Sequence, residues 1–363
     1  MKEPEERCVL AIDYRHLKQM TDEGGMLQFS RLGTPDHESG YTVDDNARAL
    51  LVALNMEGEE RRRELAVKYI RFLDNAQRAD GWWCNWKLNG RFVTTIDSDD
   101  SQGRAFLSCC AASLCELEEV REAGRRMAVR ALPALVSLKA PRSVAYTLLG
   151  ICLNPGLSDQ RSKVLAGVAR DFSNHLIGLY DGSRRRNWHW FEDALVYCNG
   201  IIPQALFAYY SFSQDRKALR VARNTLGFLT EALFAKGYLN IVGNQGWWRR
   251  GAEIPCYDQQ PVDACSTALA CAQAFRATGD SQYRSMAEIA YGWYQGNNIN
   301  RIGLYDATTG GCYDALIPDG VNFNQGAESL LSLLLSQQMM GRITSMEQDT
   351  EIRGRTQEAG NLG

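Results

Sequence analysis

Histidine is scarce in this chain of 363 residues: there are four, His16, His37, His175 and His189, and no two stand at a metal-ligand spacing. A histidine-rich zinc or iron centre is therefore not expected, and neither is a cofactor. The eleven cysteines contain no CxxC pair, and most sit among small apolar neighbours, as at Cys109-Cys110, Cys265 and Cys271. That pattern points to reduced thiols packed as small hydrophobes, and so to a cytoplasmic protein. Neither sign of charge is in surplus, since 40 basic residues face 43 acidic ones. Nucleic acid and anionic membrane are thus unlikely partners on charge grounds. The opening MKEPEERC lacks the apolar core of a signal peptide. One uncharged run, Ala194 to Gln214, is long enough to span a bilayer, but Asn199, Gly200, Pro203 and Gln204 interrupt it. A helix buried on all sides explains that run better than a membrane span.

What the chain does have is ordinary globular composition, 45% hydrophobic and 23% charged, which excludes a disordered protein. Two kinds of helical segment alternate along it. Glu59 to Asn75, Glu116 to Leu138, Ser162 to Leu176, Asp215 to Leu233 and Gln282 to Gln295 are charged, with apolar residues three and four apart, as in helices with one wet face. Asp44 to Leu54, Asp99 to Cys115, Ser143 to Leu153, Glu192 to Tyr210, Asp258 to Phe275 and Asn324 to Gln338 are nearly uncharged after the first turn and rich in small residues. Such helices touch protein on every side. Six hairpins of this kind predict a repeat or toroidal architecture. Charge gathered at the first turn of the buried helices favours a closed ring over a linear solenoid. The expectation is an all-α fold, an (α/α)6 barrel with six inner and six outer helices and short β-hairpins in the loops at one mouth. Trp82 to Thr95, extended around Asn89-Gly90, is the clearest hairpin. One domain over residues 1–363 is expected, with 1–30 as an N-terminal helical segment and 342–363 as a flexible tail.

Five of the six inner segments open on acidic or amide residues: Asp44-Asp45, Asp99-Asp100, Glu192-Asp193, Asp258-Gln259-Gln260 with Asp263, and Asn324-Gln325 with Glu328. Each alone reads as a helix cap, because carboxylates and amides satisfy free backbone N–H groups. A cap needs one residue, however, and here paired carboxylates recur, with Arg48 and Arg104 one turn further in. In a barrel they converge on one mouth. Tryptophans crowd the loops just before these turns, at Trp82, Trp83, Trp86, Trp188, Trp190, Trp247 and Trp248. Flat apolar faces stack on sugar rings while carboxylates bond to hydroxyls, so the combination points to a carbohydrate site. Asp100 and Asp193 are the first candidates for acid and base, followed by Glu192 and Asp258. The expected substrate contacts are Asp44, Asp45, Arg48, Trp83, Asp99, Arg104, Trp188, His189, Trp190, Trp248, Tyr257, Gln259, Gln260, Asp263, Asn324, Gln325 and Glu328.

The segments GYTVDDNARAL (Gly40 to Leu50), DSDDSQGRA (Asp97 to Ala105), WHWFEDALVYCN (Trp188 to Asn199), YDQQPVDA (Tyr257 to Ala264) and NQGAESLL (Asn324 to Leu331) span most of the chain. In them the chain resembles the six-hairpin glycosidase-like (α/α)6 barrels, and within these a bacterial group found with sugar-nucleotide glycosyltransferases. The resemblance implies the barrel, a glycan-related role and a glycosyltransferase as partner, but no substrate. A histidine often stands in that group where this chain has Phe29.

The function expected is an inverting glycoside hydrolase cleaving an oligosaccharide without a metal. Its alternatives are a phosphorylase, served by Arg184, Arg185 and Arg186 or by Arg249 and Arg250, and a sugar epimerase, for which only His189 lies in a suitable loop. Asp97-Ser98-Asp99-Asp100 also matches the DxDD motif of terpene cyclases, and a non-catalytic glycan-binding role is the remaining alternative.

Overall fold

The computed structural model describes residues 12–157 and 162–360, apart from the side chains of residue 162 and those beyond 345. Its helices in chain order are α1 (Arg15–Gln19), α2 (Val43–Leu54), α3 (Glu59–Ala76), α4 (Asp99–Ala112), α5 (Glu118–Leu135), α6 (Pro141–Leu153), α7 (Ser162–Ser183), α8 (Ile201–Ser213), α9 (Arg216–Leu233), α10 (Pro261–Thr278), α11 (Ser281–Gly292) and α12 (Ala327–Gly360). The even-numbered helices form the inner ring. Each packs against the next, and α12 returns to α2 to close the circle. The odd-numbered helices α3 to α11 lie outside, each paired with the inner helix before it.

Small residues make the inner ring possible. A Cβ at Gly103 of α4 would stand 2.7 Å from the Ser143 carbonyl oxygen of α6, and one at Gly150 would meet the Phe106 ring at 2.9 Å. The two helix backbones therefore approach as closely as they do only because glycine stands at the contact. The described cysteines are free thiols, and Cys109, Cys110, Cys265 and Cys271 are buried, as expected of small core hydrophobes.

Helix starts are set by hydroxyl caps and prolines. Thr42 accepts the Asp45 N–H to open α2, and Ser98 accepts the Ser101 N–H to open α4. Pro141 and Pro261 stand in the first turns of α6 and α10. The Asn89-Gly90 hairpin forms as expected, with both residues at positive φ, joining Trp86–Leu88 to Arg91–Val93. Tyr41–Thr42 adds a third strand to it. Further two-stranded hairpins occupy Tyr305–Asp306 with Gly311–Cys312 and Ala315–Ile317 with Gly320–Asn322.

Some sequence expectations are corrected. The fourth inner helix begins at Ile201, not at Glu192. Asn199 folds its side chain onto Val196, accepting the N–H at 3.1 Å and donating to the carbonyl at 2.6 Å, which closes a turn in competition with helix. The fifth begins at Pro261 rather than Asp258, because the residue before a proline is pushed out of helical conformation and Gln259 bridges to Leu316. Within the expected N-terminal helical segment, only Arg15–Gln19 is α-helical among the described residues, and Thr21–Asp22 pairs with Gly25–Met26 as a hairpin. Of six expected outer helices, five are long, and beside α12 the described residues supply only the short α1. From residue 342, where the sequence suggests a tail, α12 runs on to Gly360. Residues 1–11 and 361–363 lie outside the described residues.

Candidate active site

The N-terminal ends of α2, α10 and α12 and the loop leading into α4 enclose a cavity of about 460 Å³ at the mouth of the ring. Five carboxylates line it: Asp44, Asp45, Asp258, Asp314 and Glu328. Between them stand the amides of Gln28, Asn85, Asn244, Gln260 and Asn322, with Phe29 and Ile96 as apolar wall. Because Thr42 and Ser98 do the capping, the carboxylates of α2 and α4 are not consumed by the backbone at their helix starts.

Two arginines organise the floor. Arg48 Nη1 donates to Asp45 Oδ1 at 3.1 Å and Nη2 to Glu328 Oε2 at 2.7 Å, joining α2 to α12. Arg104 Nη1 donates to Asp44 Oδ1 at 2.8 Å, and its guanidinium lies 4.8 Å from the centre of the Tyr146 ring. The carboxyls therefore differ. Burial works to raise Asp44, but attraction to Arg104 and Arg48 outweighs it and holds the group below the usual range. Asp45 follows the opposite balance: burial pushes it up to about 6, despite Arg48 and the hydrogen bond from Thr42 Oγ1 at 2.6 Å. Burial also raises Asp314, whose Oδ1 accepts the Gly326 N–H at 2.8 Å. Asp258 is half-buried, with Oδ1 accepting from Gln245 Nε2 at 3.0 Å.

Asp44, Asp45, Arg48, Asp258, Gln260 and Glu328 are thus brought together as the sequence suggested. Other expected residues do not line the cavity. Asp100 is buried and accepts the Tyr197 hydroxyl at 2.9 Å. Glu192 is held by Arg142 Nη1 at 2.8 Å, and Asp193 is 77% exposed and paired with Arg250 at 2.5 Å. Asp99 is exposed. Asp263 is buried beneath, accepting the Cys198 N–H at 2.7 Å, with burial raising its pKa to about 7. Gln259 is fully buried, donating to Asn240 and accepting from Trp293. Gln325 ties Thr309 to Asp306, Asn324 accepts the Leu32 N–H, and the Tyr257 hydroxyl donates to Asn300.

The tryptophan rim is the main correction. Trp83, Trp188 and Trp190 are buried in the core and present no free face to a sugar. Trp248 stacks on Phe228 of α9, and His189 meets the same ring edge-on. Sequence reasoning missed Asp314, which a hairpin brings in, and Arg142, the only charged residue of α6. A lone charge on an otherwise uncharged inner helix was an available signal.

The raised carboxyls fix a pH dependence. A carboxyl whose folded pKa exceeds its unfolded value binds its proton preferentially in the native state. The cost of ionising it is absent below about pH 4 and complete above about 6 for Asp45 and about 7 for Asp263. The melting temperature should therefore fall by a few degrees from pH 5 to pH 8. Calorimetry of the Asp45→Asn and Asp263→Asn variants checks this, since each should flatten the slope. Slopes unchanged from the parent would contradict it.

No helix among the described residues is long and apolar enough to cross a membrane. No protein-family model matches the chain, and no curated protein sequence does. Solved structures do. The fold is similar to D-mannose isomerase, with a TM-score of 0.68 at 12% identity over 94% of this chain and 100% of that one. It is similar to cellobiose 2-epimerase from Spirochaeta thermophila, with 0.69 at 13% over 92% and 93%. It is also similar to an α-mannanase from Bacteroides thetaiotaomicron, with 0.62 at 12% over 91% and 93%. Likeness at such identities speaks to the fold alone, a six-hairpin (α/α)6 barrel.

Proposed function

We propose that the chain is a carbohydrate-active enzyme, an inverting glycoside hydrolase that cleaves an oligosaccharide in the mouth cavity. The observation that carries the reading is the convergence of five carboxylates and five amides on one cavity of about 460 Å³. Such groups bond to sugar hydroxyls, and the volume is within the range usual for small-ligand sites. Glycoside hydrolysis needs one carboxyl to protonate the leaving oxygen and a second to activate water. Asp45, raised to about 6, is assigned as the acid and Asp258 as the base. Both line the one cavity, Asp45 in the first turn of α2 and Asp258 in the loop ahead of α10. Inversion requires a gap of about 6.5–9.5 Å between the two carboxyls, which admits a water. Asp100, Asp193 and Glu192, favoured by sequence, yield these roles because Tyr197, Arg250 and Arg142 hold them away from the cavity wall. No metal enters the proposal. A glycosyltransferase acting on the same glycan is the proposed partner, on the sequence resemblance alone.

A second reading, sugar epimerisation or isomerisation, is favoured by the likeness to D-mannose isomerase and cellobiose 2-epimerase. It stands second because the residues lining the cavity include no histidine. Incubation with manno-, gluco- and galacto-oligosaccharides, with and without phosphate, separates the possibilities by product chromatography. Shortened chains independent of phosphate are expected, the first product having inverted anomeric configuration by NMR. Phosphate-dependent turnover would make the chain a phosphorylase, and unchanged length with altered sugar identity an epimerase. If Asp45 is the acid, kcat/KM should fall as pH rises through about 6. A rate that climbs through that range would remove Asp45 from the role.

A further inference from the structure

Beside the cavity, over the starts of α4, α6 and α8, lies a second group of side chains that the proposed chemistry does not use. Tyr197 leaves 38% of its surface exposed, although its hydroxyl is fixed on Asp100 Oδ2. The Arg142 guanidinium lies 4.8 Å from the centre of its ring, and Trp247 stands at 6.2 Å, tilted by 52°. Arg142 is itself buried and held by Glu192, Asn199 and the Tyr197 carbonyl, so the shelf beneath the rings is rigid. Trp247 is half-buried and takes φ +56°, a left-handed conformation that a bulky residue rarely adopts. Such backbone persists where surroundings over-determine it, often at binding sites.

The shelf adjoins the cavity. Arg104 spans the two, with Nη1 on Asp44 of the cavity wall and Nη2 3.8 Å from Sγ of Cys198, next to Tyr197. Asn244 of the wall precedes Trp247 by three residues in the same loop. Partly exposed aromatic side chains with a fixed carboxylate and an arginine beside them suit a sugar ring, whose apolar face stacks while its hydroxyls bond.

We propose that Tyr197 and Trp247 form a second sugar subsite, so that the substrate is a chain of at least two sugars, one in the cavity and the next on this shelf. The proposal rests on the carbohydrate reading of the cavity and adds the direction in which the chain extends.

The test is calorimetric titration of D-mannose, D-glucose, mannobiose, mannotriose, cellobiose and cellotriose into the parent and into Trp247→Ala and Trp247→Phe. At least one disaccharide should bind at least about tenfold tighter than its monosaccharide. Trp247→Ala should erase that margin while leaving monosaccharide affinity unchanged, and Trp247→Phe should restore most of it. Thermal melts confirm that the variants are folded. Equal binding of mono- and disaccharides, or a margin that survives Trp247→Ala, would overturn the subsite and leave the carbohydrate reading standing. Binding of none of the six sugars at millimolar concentration would overturn both.

Discussion

Asp258→Asn is expected to lower kcat by about 10²–10⁴-fold, the usual contribution of a positioned acid or base, while the protein stays folded. The residue sits in the loop ahead of α10, where the next residue, Gln259, exchanges two backbone hydrogen bonds with Leu316. That bridge fixes the loop independently of the Asp258 side chain. Asparagine keeps the shape, and its amide oxygen can still accept from Gln245 Nε2, so the melting temperature should change little. What is lost is the negative charge facing the cavity. Asp193→Asn provides the contrast: its side chain is 77% exposed and paired with Arg250, so its removal should leave the rate near native. A folded Asp258→Asn enzyme with an undiminished rate would show that the base lies elsewhere.

Arg48→Met should be the most destabilising substitution at the site. Its side chain is 9% exposed, and it neutralises Asp45, whose side chain is 7% exposed, as well as Glu328. Methionine fills much of the same volume but leaves Asp45 buried without its counter-charge. Breaking a buried pair from one side typically costs about 3–5 kcal/mol, here a melting temperature lower by about 5 °C. The Asp45 carboxyl should respond by climbing further, because burial already outweighs its attraction to Arg48. If charge is the cause, the double variant Arg48→Met/Asp45→Asn should recover much of the loss, which thermal denaturation reads directly. A double variant no more stable than the single one would assign the loss to packing.

The ring itself was legible in the chain. Alternating wet and dry helical periodicity, small residues such as Gly103 on the dry helices, and the Asn89-Gly90 turn are local signals, and each has a local counterpart in the structure. The convergence of Asp44-Asp45, Asp258 and Glu328 also followed once the ring was granted, because its hairpins bring inner-helix starts to one mouth. What could not be read is which way a side chain faces when its neighbours come from distant segments. Asp258 and Asp263 share one short motif, yet one reaches the cavity and the other is buried on the Cys198 N–H. Trp83 and Trp190 look like sugar platforms in the loops, but their rings have no exposed surface. Trp247 instead meets Tyr197 while remaining partly exposed, in a backbone conformation that no local rule announces. Asp314 enters through a hairpin that pairs Ala315–Ile317 with Gly320–Asn322, a contact with no periodic signature. The false start of α8 has the same origin, since one side chain, Asn199, diverts a segment that otherwise reads as helix.

The central claim, that sugar chemistry takes place between Asp45 and Asp258, is tested most directly by a crystal structure of the Asp258→Asn protein with the oligosaccharide that the parent turns over. The account requires a sugar ring in the cavity, its glycosidic oxygen within hydrogen-bond reach of Asp45 and its opposite face toward residue 258. A ring bound instead against Asp100 and Asp193, with the cavity filled only by water, would contradict it.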